Sequence, residues 1–195
     1  VFCHEVGIDL WAAIDAAATK PFGFQAFRPG PGVGGHCIPI DPNYLSWVAK
    51  RVGYRLRFVE LAEEVSERMP AYVARRVQDS LNRISRPLNG SSVVLAGVSY
   101  KANVSDQRET PAKPLVTYLR TMGADVSYVD PNVDCFVVAG IEVPKVPNVD
   151  EAASRADIVV VLQAHKEFLE KNVLEGADCV LDTSGHLVGK NVERL

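Results

Sequence analysis

The sequence predicts an α/β protein in which a helical segment is followed by a parallel β-sheet unit. Up to about Ser85, apolar residues recur at helical spacing, most clearly in VELAEEVSERMPAYVARRVQDSLNRI (59–84). Beyond residue 92, short β-branched runs alternate with helical stretches, which is typical of βαβ units. The stretch SRPLNGSS (85–92) separates the two patterns, so we expect one domain at 1–88 and a second at 89–195.

The helical segment is expected to contain a short helix, a Gly/Pro-rich stretch and two further helices. Asp9 is a good N-cap for the short helix. Glycine and proline are dense from Pro21 to Pro42, so we expect no helix there and a new helix over 43–52. The last helix covers 59–84, where Pro70 either kinks it or begins another helix.

Four apolar runs in the second segment predict strands: SVVLAG (92–97), DVSYVD (125–130), DIVVVLQ (157–163) and DCVLDT (178–183). A helix is expected between the first two, from Pro111 to Met122, ending at Gly123. This alternation predicts a Rossmann-like unit, in which ligands bind at the carboxyl ends of the parallel strands.

The composition excludes several classes of protein. A net charge of −3, without a basic stripe interleaved with aromatic residues, argues against nucleic acid as a partner. No apolar run reaches the roughly 18 residues of a membrane helix. The four cysteines lack the C-x-x-C spacing of metal and redox sites, so we expect no metal, free thiols and a cytoplasmic location. The chain begins with Val1 in helix-like sequence, and we therefore expect it to be part of a longer protein.

The turn after the first strand, AGVSYKANVSDQRETPA (96–112), combines an aromatic residue with cations. It lacks the G-x-G-x-x-G dinucleotide fingerprint. Tyr100 could pack on a base, while Lys101 and Arg108 could bind a diphosphate. The alternative is a solvated charged loop, the usual state of such sequences.

The stretch GPGVGGHCIPIDP (30–42) presents a thiol and a carboxylate in a stiff setting. Gly34 and Gly35 let the backbone approach a ligand closely and offer N–H groups to it. Cys37 followed by Asp41 suits covalent catalysis with subsequent attack by water. The alternative is that Cys37 is a small buried apolar residue.

Taken together, the two blocks GPGVGGHCIPIDP and GVSYKANVSDQRETPA resemble the UDP-glucose/GDP-mannose dehydrogenase family of nucleotide-sugar 6-dehydrogenases. The resemblance covers essentially the whole chain and is strongest to the branch acting on UDP-N-acetylglucosamine or UDP-N-acetylmannosamine. It implies a central helical dimerisation domain followed by a Rossmann-like UDP-binding domain, and a homodimer. The family's N-terminal NAD-binding domain has no counterpart here, so the chain is expected to be a fragment, inactive alone, whose NAD is bound mainly by an absent domain.

The resemblance also implies the chemistry. The C6 alcohol of a UDP-sugar is oxidised to an aldehyde, which the thiolate of Cys37 attacks to give a thiohemiacetal. A second hydride transfer gives a thioester, and water releases the uronate. Cys37 would be the nucleophile, and Asp41 would assist water or proton transfer.

Binding roles follow from the same resemblance. Gly34 and Gly35 would contact the sugar through their backbone, Tyr100 and Lys101 would hold UDP, and Arg108 would reach the cofactor's phosphates. The identity of the sugar stays open between GlcNAc, ManNAc, glucose and other derivatives.

The sequence departs from the family pattern in two places. Gln163 and Ala164 stand where the family often has Thr-Asp before a histidine, and 184–186 read Ser-Gly-His where an Arg-Asn pair is usual. Two other functions remain open: a non-catalytic module that binds nucleotide sugars or dimerises, and a cysteine hydrolase using Cys37 with His36.

Overall fold

A computed structural model describes residues 1–170 and 173–195. The chain begins with four helices, namely α1 (Phe2–Glu5), α2 (Leu10–Ala18), α3 (Cys37–Arg51) and α4 (Arg57–Arg83). Asp9 caps α2 as predicted, because its Oδ1 accepts hydrogen bonds from the N–H groups of Trp11 (3.0 Å) and Ala12 (3.1 Å).

Helix α3 corrects the expectation that helix begins only after Pro42. The helix begins at Cys37, so Cys37 and Asp41 lie in a helix rather than in a loop. Pro39 falls in the first turn, where a backbone N–H has no intrahelical partner to lose. Pro42 does remove one bond, but the side-chain amide of Asn43 donates to the carbonyl of Pro39 (2.9 Å) and ties this turn together.

Helix α4 is a single helix that continues through Pro70. No residue before Pro70 is buried in it, whereas eight residues from Pro70 to Leu81 are. The first half of α4 instead packs beside α3. The two halves therefore have different environments: one carries a partly solvated apolar face and the other is part of the core.

The second segment is a parallel five-stranded sheet with helices on both faces. In chain order it contains β1 (Ser92–Ala96), α5 (Ala112–Thr121), β2 (Asp125–Val129), a hairpin of β3 (Val137–Val138) and β4 (Ile141–Glu142), α6 (Val149–Arg155), β5 (Ile158–Val161), α7 (Lys166–Glu170), a 3₁₀ turn (Val173–Gly176), β6 (Val180–Asp182) and β7 (Val192–Arg194). The strand order is β2-β1-β5-β6-β7, and every pair is parallel. The predicted α/β fold is confirmed.

The sheet separates two apolar cores, as expected for a parallel sheet covered on both faces. Along β1, Val93 and Leu95 point to the core formed with α4 and α5, while Val94 and Ala96 point to the core formed with α6. The second half of α4 thus covers one face of the sheet. None of the described helices combines the length and apolar character needed to cross a membrane.

An ion-pair network fastens α4 to the last strand. Arg76 on α4 is buried, and its Nη2 donates to Glu193 Oε1 (2.5 Å) and to the carbonyl of Arg194 (2.9 Å). Ser80 and Arg83 also donate to Glu193. Burial alone would raise the pKa of Glu193, but the hydrogen bonds from Ser80 and Arg76 lower it overall.

Candidate functional site

Cys37 and Asp41 lie one helical turn apart at the start of α3, where residues at positions i and i+4 share a face. Both residues are exposed. The alternative that Cys37 is a small buried apolar residue is therefore wrong. His36, which precedes the helix as its N-cap, is also exposed and makes no side-chain capping bond.

The two glycines before Cys37 pack against the loop that follows β1, residues 97–111, which we call the β1–α5 loop. A methyl group built on Gly34 would come within 2.8 Å of Tyr100 Cβ, and one on Gly35 within 2.9 Å of Tyr100 Cε2. The N–H of Gly35 also donates to the carbonyl of Arg108 (3.0 Å). These glycines therefore pack closely against another part of the same chain. Cys37 follows Gly35 by two positions in the sequence, so this contact fixes the backbone just before it.

Arg108 and Asp106 form an ion pair within the β1–α5 loop. Nη2 of Arg108 lies 2.6 Å from Asp106 Oδ2, and Nε lies 3.0 Å from the same oxygen. This hydrogen bonding lowers the pKa of Asp106 and raises that of Arg108. Tyr100 and Cys37 add smaller electrostatic contributions to the raised pKa of Arg108.

The structure therefore joins four of the seven predicted site residues by direct contacts, namely Gly34, Gly35, Tyr100 and Arg108, and Cys37 follows Gly35 by two residues. Lys101 belongs to the β1–α5 loop and is exposed. Asp41, on α3, is exposed as well. Among the described residues, neither of these two side chains has an ion-pair partner within 4.0 Å.

A buried polar network under the β1–α5 loop was missed by sequence reasoning. Its centre is Asp130, which directly follows β2 and is 1% exposed. Asp130 Oδ2 accepts from the N–H groups of Val98 (2.8 Å) and Ser99 (3.2 Å) and lies 3.2 Å from His165 Nε2. Burial alone would raise the pKa of Asp130, but the hydrogen bonds from His165 and from the N–H groups of Asn132 and Val98 lower it.

The residues after β5 complete this network. Gln163 Nε2 donates to the carbonyl of Tyr100 (3.2 Å), and Nδ1 of His165 accepts the N–H of Asn103 (2.9 Å). A methyl group on Gly97 would meet Gln163 Cβ at 2.7 Å. The sequence could have indicated this network by position. Like Asp130, Gln163 and His165 lie at or just after the end of a predicted parallel strand, and the carboxyl ends of parallel strands lie at one edge of the sheet. The β1–α5 loop is thus held by side chains and is not a freely solvated loop.

The second departure from the family pattern, at 184–186, lies beneath Trp11 of α2. A methyl group on Gly185 would come within 2.2 Å of Trp11 Cζ3, so the indole ring lies on the Gly185 backbone. Trp11 is buried, and its Nε1 donates to the carbonyl of Leu195 (3.1 Å). Asp182 fixes the turn by accepting from the N–H groups of Ser184 (2.8 Å) and Gly185 (3.1 Å).

An apolar groove of about 790 Å³ lies between α3, the first half of α4 and the start of α5. Ile38, Pro39 and Phe58 are among its apolar lining residues, and Glu63 and Lys113 are among its charged ones. Within the part of the chain that the structure describes, no group of three or more His, Cys, Asp or Glu residues could hold a metal ion.

Comparison with solved structures defines the class of fold. The chain superposes with a TM-score of 0.82 on a UDP-D-ManNAc dehydrogenase from Pyrococcus horikoshii, at 24% identity, covering 99% of this chain and 45% of that one. It superposes with a TM-score of 0.77 on an NDP-N-acetyl-D-galactosaminuronic acid dehydrogenase from Methanosarcina mazei, at 26% identity, covering 96% and 42%. The fold is that of part of a nucleotide-sugar dehydrogenase.

Sequence comparison gives the family. Residues 1–68 match the central domain of the UDP-glucose/GDP-mannose dehydrogenase family, and residues 94–188 match its UDP binding domain. The chain belongs to this family.

Two curated relatives indicate how much of the family's length is present. A UDP-N-acetyl-D-mannosamine dehydrogenase from Methanococcus maripaludis is 39% identical over 171 residues, which are 88% of this chain and 36% of the relative. An NDP-N-acetyl-D-galactosaminuronic acid dehydrogenase from Ralstonia nicotianae is 34% identical over 195 residues, which are 98% of this chain and 44% of the relative. The chain thus spans less than half the length of these relatives.

Proposed function

We propose that this chain is the central and UDP-binding part of an NAD-dependent dehydrogenase that oxidises the C6 alcohol of a UDP-N-acetylhexosamine to the uronate. One observation carries the proposal: Gly34 and Gly35 pack on Tyr100, which puts the exposed thiol of Cys37 beside the β1–α5 loop. The names of the relatives support an N-acetylated sugar as the substrate class.

Cys37 acts as the nucleophile in this proposal. Its thiolate adds to the C6 aldehyde, forming a C–S bond and a thiohemiacetal that cannot diffuse away before the second oxidation. After that oxidation, water attacks the thioester carbonyl, the C–S bond breaks, and the uronate and the thiolate are released. Asp41, one turn along the same helix face, assists by accepting a proton from the attacking water.

The β1–α5 loop binds the nucleotide. Tyr100 packs on the uracil ring, and the exposed ammonium of Lys101 pairs with the diphosphate. Only Gly34 of the two glycines is partly exposed, and its backbone contacts the sugar next to Cys37, whereas Gly35 is buried and supports Tyr100.

NAD⁺, when bound, supplies the hydride acceptor for both oxidations. The chain has no G-x-G-x-x-G sequence after its first strand, so its residues fit only a partial contact. Arg108 can make that contact, because its side chain is 67% exposed although its guanidinium is paired with Asp106. The remaining contacts would come from a domain outside this sequence.

A homodimer is proposed on the basis of an exposed apolar surface on α3, the α3–α4 connection and the first half of α4. Ten large apolar residues there are more than half exposed, and we call them the apolar face: Ile38, Tyr44, Leu45, Trp47, Val48, Val52, Tyr54, Phe58, Leu61 and Val65. Large apolar side chains exposed in this number on neighbouring helices are typical of an interaction site. Four free cysteines agree with a cytoplasmic location.

Titration of the 195-residue chain with UDP tests the proposal. We expect a Kd of about 0.1–1 mM, weakened at least about tenfold by Lys101→Ala, which removes a charge-assisted hydrogen bond. Lys190→Ala, at another exposed lysine, and Cys37→Ala should leave UDP binding unchanged. Absence of UDP binding, or NADH formation by this chain alone with any UDP-sugar, would contradict the proposal.

A further inference from the structure

The backbone beside Tyr100 and Lys101 is held by three side chains, in addition to one backbone hydrogen bond from the N–H of Tyr100 to the carbonyl of Asp106 (2.9 Å). The carbonyl of Tyr100 accepts from Gln163 Nε2 (3.2 Å), and the carbonyl of Lys101 accepts from Ser99 Oγ (2.8 Å). The N–H of Asn103 donates to His165 Nδ1 (2.9 Å). Two of these three partners come from the residues that follow β5.

Asn103 has a φ of +64°, a left-handed conformation that asparagine adopts more readily than most other non-glycine residues. It is held from both sides by consecutive residues. His165 accepts the N–H of Asn103, and the side-chain Oδ1 of Asn103 accepts the N–H of Lys166 (2.9 Å). These bonds fix the turn through which the chain leaves Lys101.

The surroundings of His165 fix its tautomer and its orientation. Because Nδ1 accepts a backbone N–H, it carries no proton, and the neutral ring therefore has its proton on Nε2, 3.2 Å from Asp130 Oδ2. The ring of Phe168 packs edge-on against the imidazole, with centroids 5.2 Å apart. His165 is 0% exposed and Asp130 is 1% exposed, so neither can reach a substrate.

We propose that Gln163 and His165 are positioning residues that preorganise the β1–α5 loop for nucleotide binding, with Asp130 orienting the imidazole. The inference rests on the proposed function for Tyr100 and Lys101. In this arrangement Gln163 holds the peptide after Tyr100, and His165 holds the turn after Lys101. Without them the loop must be ordered when the nucleotide binds, and that ordering weakens affinity.

The test compares variants that keep or remove individual bonds in the 195-residue chain. His165→Ala removes the three imidazole contacts, with Asn103, Asn132 and Asp130, whereas His165→Asn keeps an acceptor at the position of Nδ1 for the N–H of Asn103. We expect His165→Ala to weaken UDP binding about tenfold and His165→Asn to recover most of this loss. Gln163→Glu, which replaces a donor by an acceptor facing the Tyr100 carbonyl, should weaken it to a similar extent.

Matched controls separate positioning from general destabilisation. His186→Ala changes an exposed histidine, and Gln78→Glu makes the same isosteric change on α4. Both should bind UDP as the parent chain does. If His165→Asn recovers UDP affinity while its unfolding temperature stays as low as that of His165→Ala, the effect is one of positioning. Unchanged UDP affinity in His165→Ala and Gln163→Glu would overturn the inference.

Hydrogen exchange tests the ordering of the β1–α5 loop independently of whether the chain binds UDP. The amide of Asn103 should be protected in the parent chain and should exchange at least about tenfold faster in His165→Ala, with protection restored in His165→Asn. If the parent chain does not bind UDP, the nucleotide assignment fails, and this measurement still decides whether His165 orders the loop. Equal protection in all three chains would refute the ordering itself.

Discussion

The phenol ring of Tyr100 lies against the backbone of Gly35, so close that a methyl group at Gly35 would be 2.9 Å from Tyr100 Cε2. The two residues are 65 positions apart in the sequence, yet their contact joins the start of α3 to the β1–α5 loop. Gly35 also has a φ of +90°, which disfavours any side chain. Contact and conformation together require glycine here.

Gly35→Ala should therefore destabilise the chain by about 2–4 kcal/mol, from the strained φ and the collision with Tyr100. Gly53→Ala is the matched control, because Gly53 has a φ of +87° and nothing within 4 Å of the added methyl group. It should cost only about 1 kcal/mol. Urea unfolding measures both. Equal losses would show that the Tyr100 contact is unimportant, and adding Tyr100→Ala should recover part of the loss in Gly35→Ala.

Glu193→Gln should reduce stability at pH 7 by about 2–4 kcal/mol, because it leaves the buried guanidinium of Arg76 without its charge partner. The folded state lowers the pKa of Glu193 below its ordinary value of 4.5. Its contribution is therefore fully present above pH 4.5 and is lost as the pH falls through the lower folded-state pKa.

The difference in unfolding free energy between the parent chain and Glu193→Gln should shrink as the pH falls below about 4.5, when followed by urea denaturation at several pH values. Glu142→Gln, at an exposed position outside any described ion pair, should show no such difference. A difference in unfolding free energy between the parent chain and Glu193→Gln that stays constant down to pH 3 would contradict the role given to the charge of Glu193.

Phe58→Glu should prevent self-association through the apolar face. Phe58 is 89% exposed and belongs to that face, so a carboxylate there would be buried in any dimer that uses it. We expect the dimer dissociation constant to rise at least about 30-fold in analytical ultracentrifugation. Phe22→Glu, at a residue that is 76% exposed but outside α3 and α4, should have no effect. A monomeric parent chain would contradict the proposed homodimer.

The position of the domain boundary can be tested by truncation. Four side chains of α4, Val73, Ala74, Val77 and Leu81, lie in the core of the sheet unit, so a chain of 89–195 lacks them. At about 1.5–3 kcal/mol for each buried valine or leucine side chain, their loss approaches the whole stability of a typical domain. We expect 70–195 to unfold cooperatively on heating and 89–195 to aggregate. Cooperative unfolding of 89–195 would instead support the boundary expected from the sequence alone.

The strands and the long helix could be predicted because each is encoded locally. The run SVVLAG corresponds to β1 (Ser92–Ala96), and the helical periodicity before Ser85 corresponds to α4. The start of α3 could not be predicted from the sequence, because a proline in the first helical turn resembles a proline in a loop when only composition is considered. The roles of Asp130 and His165 were missed for another reason: they become neighbours only when two separate strands lie side by side.

The indole of Trp11 on the Gly185 backbone has a consequence for related sequences. Since no side chain fits at Gly185 while an indole covers it, the two positions cannot vary independently. A relative with a larger residue at the position of Gly185 should carry a small or differently placed residue at that of Trp11. Aligned sequences should thus show paired substitution at two sites that lie in different halves of the chain, and this covariation would mark which relatives share the arrangement at 184–186.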